Sequence, residues 1–409
     1  MVTLRSSTLE KSIEVNRIIG AINGSGSGPT AIFVGGIHGN EPAGVFALHN
    51  VLESLKKSEI PIKGNIYAIA GNLWALEKGR RYQEEDLNRL WSKEKVQNLR
   101  NGALQNPKNQ DVKEQIAIYA TCKDILDKEA GPFYFFDLHT TSSETMPFIT
   151  VNDNLLNRKF TSQYPIPIVL GIEEYLEGPL LSFVNELGYV AFGFEGGQHE
   201  DVSSIENHKA FVYLSLVFTG CLAKEDIDFD HQFGILAKHT LSSRGFYEIF
   251  NHYKINNADT FLMNPGFVNF QSIKKGQELA VNNKKLIISR HNGRIFMPLY
   301  QRQGGDGFFI VRSIPPFLLR LSALLRKIRL DQLLTYLPGV RWQSKKRDAL
   351  VVNRKLARYF TKDFFHLLGY RSKKIDRVHL VMKNRETVSR KKDYKNESWW
   401  NKNGKHSGA

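Results

Sequence analysis

Four short runs constrain this chain more than anything else in it: AIFVGGIHG (31–39), GNIYAIAGN (64–72), PFYFFDLHT (132–140) and YVAFGFEGG (189–197). Each begins with β-branched or aromatic residues and ends in glycine or polar residues. Apolar runs of this length, bounded by turn residues, read as strands covered on both faces. RIIGAI (17–22) reads as a further strand and the GSGSGPT after it as a flexible turn. Between the runs, GVFALHNVLESLKK has helical periodicity, with Val45, Leu48, Val51, Leu52 and Leu55 on one stripe. LLSFVNELG and SIENHKAFVYLSLVFTGCL read as helices too. Strands alternating with helices predict an α/β domain with a parallel or mixed sheet over residues 1–225.

The texture then changes twice. Residues 226–313 hold short β-like runs broken by Gly, Asn and Pro, and predict a small all-β domain. From Pro315, PPFLLRLSALLRKIRLDQLLTYLPG predicts one basic, leucine-rich helix, RDALVVNRKLARYFTKDFFHLLGY a second, and the stretch from about Lys383 disorder. Residues 314–409 carry 24 Lys and Arg against 7 Asp and Glu, which leaves 32 against 34 in the rest. The basic character therefore belongs to the tail. Three partners fit it: the body of the protein, an anionic membrane surface, or nucleic acid met by Trp342, Trp399 and Trp400.

No apolar run is long enough to span a bilayer, and no secretory leader is read at the start, so the expected location is the cytoplasm, peripheral to a membrane if the tail binds one. Cys122 and Cys221 are the only cysteines. That suits a reducing compartment and excludes a disulfide framework or a thiolate metal site. A metal in this chain must be held by His and carboxylate.

The strand ends carry the residues for that. In GGIHGNEPAG, His38 and Glu41 lie three apart where a strand meets a helix, so both can converge above the sheet edge if Asn40 or Glu41 opens the helix. Asn40 as a helix cap and Glu41 as a partner of the helix dipole is the competing reading. In FFDLHTT, Asp137 and His139 share a strand face, with His139 a third ligand and Asp137 its acceptor, or a strand-end His capped by Thr140 or Thr141. RRYQEEDLNRLW crowds Arg80, Arg81 and Arg89 with Asn88, a set that clamps carboxylates, or one that pairs locally with Glu84 and Glu85. Glu195, at the end of an apolar strand and before two glycines, suits a general base or an ordinary turn. Jointly they make the parts list of metal-assisted hydrolysis.

In order and spacing, the H-x-x-E of GGIHGNE, Asn72, Arg81, the D-L-N-R of Asp86–Arg89, DLHTT and the Glu195 segment resemble the succinylglutamate desuccinylase/aspartoacylase family, zinc-carboxypeptidase-like hydrolases, over roughly residues 30–310. MNPGFVNF and GRIFMPLYQ resemble that family's C-terminal β domain, which shields the site. The resemblance implies one Zn2+ per chain on His38, Glu41 and His139, and Glu195 as the base that activates zinc-bound water. It implies that Arg81 steadies the oxyanion, that Asn88 and Arg89 hold the substrate carboxylate, and that Asp86 orients His38. The implied substrate is an N-acyl amino acid bearing a carboxylate, cleaved at its amide. A carboxypeptidase-like peptidase or an esterase on the same residues is the alternative, and a non-enzymatic membrane-associated protein on a hydrolase scaffold is a third reading.

The chain departs from the family in two ways. Aspartoacylase proper carries a further substrate-binding arginine shortly before its general base, whereas here no arginine occurs between Arg158 and Arg244, and Lys209 is the substitute named instead. The basic tail lies outside the family pattern.

Overall fold

The structure is a computed structural model that describes every residue except 7–9, 103–106, 239, 241, 257, 346, 354–361, 375–378 and 402–409. Its centre is an eleven-stranded mixed sheet. From one edge the strands run Ser272–Ile273, Gly293–Phe296, Asp306–Ser313, Gly245–Lys254, Pro167–Leu170, Phe148–Val151, Val190–Gln198, Phe133–Thr141, Ser25–Gly35, Lys63–Ala70 and Ile18–Asn23. The four runs that dominate the sequence lie side by side and parallel, as the alternation with helices requires.

Side-chain alternation sorts the two faces. Ala31, Phe33, Tyr134, Phe136, Phe192 and Phe194 point to one side, where the helices Ala43–Lys57 and Val202–Thr219 cover them. Ile32, Val34, Phe133, Phe135 and Ala191 point to the other, under Gln110–Lys128 and Leu180–Glu186. With about 25 cal/mol for each Å² of apolar surface buried, these two layers are the main stabilising term of the body. GSGSGPT is not a free turn: Ser25–Gly35 is one strand, and Gly24 and Ser25 donate backbone hydrogen bonds to Gly64 and Ile62. The central strands Phe148–Val151 and Pro167–Leu170 and the N-terminal hairpin Val2–Ser6/Lys11–Val15 have no counterpart in the sequence reading.

Beyond residue 226 two features differ from an all-β unit. A helix, Phe229–Ala237, comes first, because Asp228 caps it through the His231 N–H. Gly245–Lys254 then pairs in parallel with Pro167–Leu170, so the later strands extend the body's own sheet. Only Phe261–Met263, Glu278–Asn282 and Lys285–Ile288 form a separate three-stranded sheet there.

Among the described residues, the tail is not two helices, and 383–401 are not disordered; 402–409 lie outside the described residues. The first helix stops at Lys327, and Arg329 at φ 54° breaks it from the 3-10 turn Leu330–Tyr336. Val340–Trp342, Ala349–Asn353, Tyr370–Lys374 and His379–Asn384 form a four-stranded antiparallel sheet, with the short helix Lys362–Leu367 between strands. Part of the second expected helix, residues 354–361, lies outside the described residues. β-branched ALVVN chose a strand because alternate residues Leu350 and Val352 bury against Leu334, Phe365 and Tyr370.

Past Lys383 the chain returns to the body. Tyr394 donates its hydroxyl hydrogen to the Phe133 carbonyl and accepts from the Val190 N–H. Trp399 is buried against Tyr134 and Phe160, its indole N–H 3.0 Å from the Tyr134 hydroxyl. Trp342 packs on the tail core and Trp400 receives Lys159, so the three tryptophans are structural. The junction is tied by buried Asp153, which accepts from Arg158, Arg326 and Arg371, while Glu386 takes a second nitrogen of Arg326. Among the described residues, no helix is long and apolar enough to cross a membrane.

Candidate metal centre and active site

The strand ends meet. The GGIHG turn leaves the sheet at Gly35 and carries His38 and Glu41 inward before the helix starts at Ala43. Asn40 does not cap that helix; its side-chain amide donates to Gln301 at 3.0 Å. A side chain at position 39 would collide with the Ala75 backbone at 2.0 Å, so only glycine lets the turn close here. His139 comes from the strand face shared with Asp137.

His38, Glu41 and His139 are buried, with ligand-type atoms all within 4.8 Å of one another. The Nδ1 atoms of both imidazoles lie 2.9 Å from separate oxygens of Glu41. The outer nitrogen of His38 is 3.1 Å from Asp86, and that of His139 is 2.9 Å from Asp137, off the line of a well-formed hydrogen bond. Inner nitrogens that converge and outer nitrogens beside carboxylates are the pattern of metal-bound histidines. Burial alone would push Glu41 up, but the imidazoles outweigh it and hold the carboxyl well below the usual range. Burial lowers His139, and the adjacent Asp137 carboxylate together with the bond to Glu41 raises it well above 6.5. Three buried donors of these types fit a divalent cation such as zinc and leave it an open position.

Arg81 donates to Glu41 at 3.1 Å and to Asp86 at 3.4 Å. Arg80, Glu84 and Glu85 are exposed, and Glu85 pairs with Lys95, so the local pairing with the arginines does not form. Asp86 also accepts from the Asn88 N–H at 2.8 Å. Its carboxyl is pushed up by burial and down further by His38 and Arg81, ending well below its ordinary value. Asn88 turns its carbonyl oxygen to the Leu180 N–H at 2.9 Å, and Arg89 donates to Asp306 at 3.0 Å. Asp306, which also receives His252 at 2.9 Å, gave no sequence signal because 217 residues separate it from Arg89.

Asp111, equally unforeseen, holds this segment. It is fully buried and accepts from the Asn72 side chain and from the N–H groups of Gln83, Glu84 and Glu85. The segment that carries Arg81, Asp86, Asn88 and Arg89 thus hangs on one carboxylate.

Glu195 stands opposite His139 in the pairing of the two parallel strands. Its Oε2 is buried with no hydrogen-bond partner among the described residues. Burial pushes the carboxyl up to about 8, against the pull of His139. At Gly196 an added Cβ would lie 2.2 Å from the His208 ring, so glycine is what allows the helix Val202–Thr219 this close to the Glu195 strand. His199, inside the quoted FGFEGGQHED but not singled out, bridges Thr140 at 2.7 Å and Gln301 at 3.1 Å.

His38, Glu41, His139, Arg81, Asp86, Asn88, Arg89, Glu195 and His199 line a cavity of about 1160 Å³. Lys209 is not among its lining residues; it pairs with Glu206 on a helix surface. The lining does include Arg371 and Arg385 from the tail, which sequence comparison with the family's pattern had no means to place.

Residues 27–211 match the succinylglutamate desuccinylase/aspartoacylase catalytic domain. A stretch of 56 residues is 43% identical to succinylglutamate desuccinylase of Photorhabdus laumondii, covering 14% of this chain and 17% of that protein. The structure is similar to that of succinylglutamate desuccinylase/aspartoacylase from Rhodobacter sphaeroides, with a TM-score of 0.51 at 15% identity over 72% of this chain and 88% of the other. Succinylglutamate desuccinylase from Chromobacterium violaceum gives the same values, 0.51, 15%, 72% and 88%. At that identity the likeness is one of fold.

Proposed function

We propose, from the premise that residues 27–211 place this chain in the succinylglutamate desuccinylase/aspartoacylase family, that it is a zinc-dependent hydrolase cleaving the amide bond of an N-acyl amino acid. The observation that carries the reading is the convergence of His38, Glu41 and His139 in one buried cluster beside Arg81 and Glu195.

His38, Glu41 and His139 would hold the ion. A zinc ion there would supply Lewis acidity, lowering the pKa of a water to about 7 and favouring the ionised form of the neighbouring Glu195. Arg81, held by Glu41 and Asp86, offers a fixed positive charge to the oxygen on which charge develops. Glu195 takes the proton from the attacking water and returns it to the leaving nitrogen. Asn88 and Arg89 orient the carboxylate of the substrate. Residues 226–313 supply the cover through Met297, Gln301 and Asp306, and residues 314–409 are the appended tail.

A second reading rests on Arg89 and the cavity. Arg89 already carries a carboxylate of the chain, and about 1160 Å³ exceeds the roughly 300–1,000 Å³ of ordinary small-molecule sites. Both favour a larger peptide or ester at the same catalytic residues. Metal analysis of the purified protein, with turnover on a panel of N-acyl amino acids, short peptides and esters, tests the proposal. Zinc with hydrolysis of N-acyl amino acids supports the first reading, and zinc with turnover of peptides or esters alone supports the second. Metal-free protein inert on the whole panel, even after zinc is added, would sink both.

A further inference from the structure

The helix Pro316–Lys327 faces the body with Ser322 and Arg326, both buried, Arg326 inside the Asp153 cluster. Its other side is apolar. Phe317, Leu321, Leu324 and Ile328 are 65, 40, 55 and 59% exposed. Their spacing of i, i+4, i+7 and i+11 puts them on one stripe along the whole helix. Arg320 and Lys327 lie at its margins, Arg329 follows, and Leu333 and Tyr336 prolong the exposed apolar surface. Residues 314–330 contain no Asp or Glu. An apolar surface of this extent, rimmed by charge, is costly to hydrate and marks a place where something binds.

We propose that this stripe docks the protein on an anionic lipid membrane. The helix lies in the plane of the interface, with Phe317, Leu321, Leu324 and Ile328 at the boundary between headgroups and acyl chains and Lys327 and Arg329 on lipid phosphates. Twelve residues are too few to span a bilayer, which needs about 20. Charge selects lipid over a second copy of this chain: two such stripes face to face would bring Lys327 and Arg329 against their own kind, while Asp331, the next acid along the chain, is taken up by Tyr370 and Asn384. It selects lipid over nucleic acid as well, because four outward aliphatic and aromatic side chains offer nothing to a phosphate backbone. The reading is independent of the chemistry at the metal centre.

Sedimentation of the full chain with vesicles of phosphatidylcholine, and of phosphatidylcholine with phosphatidylserine, at low and high salt tests it. Binding to the phosphatidylserine vesicles, released by high salt, is expected. The double substitution Leu321→Glu/Leu324→Glu abolishes it. Lys327→Ala with Arg329→Asn weakens it roughly twentyfold, near fivefold for each basic residue, and Asn suits the positive φ at 329. Unchanged thermal unfolding shows that these variants remain folded. No binding to phosphatidylserine vesicles at low salt overturns the proposal, as does binding that survives Leu321→Glu/Leu324→Glu. A dimer dissociated by that double substitution, or retention on nucleic acid, in a protein that ignores vesicles, overturns it equally.

Discussion

His139 and Glu195 are direct partners in the register of two parallel strands, so their side chains leave the sheet on the same face and at the same height. Two side chains placed this way keep their separation without help from any loop. Replacing Glu195 by Gln preserves the strand and removes the proton acceptor. Turnover is expected to fall by about 10²–10⁴ with metal content unchanged. Parallel measurement of bound zinc and of kcat checks this, and an intact rate refutes the base assignment.

Removing the ion has a different signature. His38→Ala, or dialysis against a chelator, should release about one zinc per chain and lower the Tm, because an ion bound only by the folded state stabilises that state. Added zinc restores the chelated protein but not the variant. Unaltered metal content in His38→Ala would show that the ion sits elsewhere.

Asp111 offers a test away from the reacting atoms. In Asp111→Asn, hydrogen bonds from three backbone N–H groups lose their charged acceptor. A loss of about 1.5–3 kcal/mol in unfolding free energy is expected. KM should rise, since Arg81, Asn88 and Arg89 ride on that segment, while bound zinc stays constant. Unchanged KM in a destabilised protein would confine Asp111 to folding.

The tail junction predicts an acid response. Burial would raise the Asp153 carboxyl, but Arg158, Arg326 and Arg371 outweigh burial and hold it well below its ordinary value. A carboxyl depressed in the folded state contributes stability that is complete above its unfolded pKa of about 3.9 and disappears as pH falls through the lower folded value. Unfolding free energy should therefore drop on acidification below about pH 4, and less steeply in Asp153→Asn. That variant leaves three buried arginines around a neutral amide and should cost about 3–5 kcal/mol at neutral pH.

Much of the body was legible because its signals are local. Strand ends carrying His38, Glu41, His139 and Glu195 could be placed on one sheet edge from alternation and length alone, and the geometry brings them together. Arg81 and Asn88 stood out as part of an arginine-rich polar run, and Asp86 only through the resemblance to the family. What escaped depends on contacts across the chain. Asp306 reaches Arg89 over 217 residues, and Asp111 is an ordinary helix residue until three amides are seen to point at it. The tail misled for a physical reason. Its leucines and basic residues fit helical spacing, but the Arg329 break and the β-branched Leu350–Val352 segment are settled by packing against Phe365 and Tyr370. The far end looked unstructured by composition, and only the slots beside Phe133 and Tyr134 give Tyr394 and Trp399 somewhere to go.

The pairing of Gly245–Lys254 with Pro167–Leu170 joins cover and body by main-chain hydrogen bonds inside one sheet. A door held by four successive pairs along its jamb, Gly245–Glu248 on Pro167–Leu170, has no free hinge there. On the proposed function, reactants would then enter without jaws opening, and thickening the solvent with sucrose is expected to slow kcat only slightly.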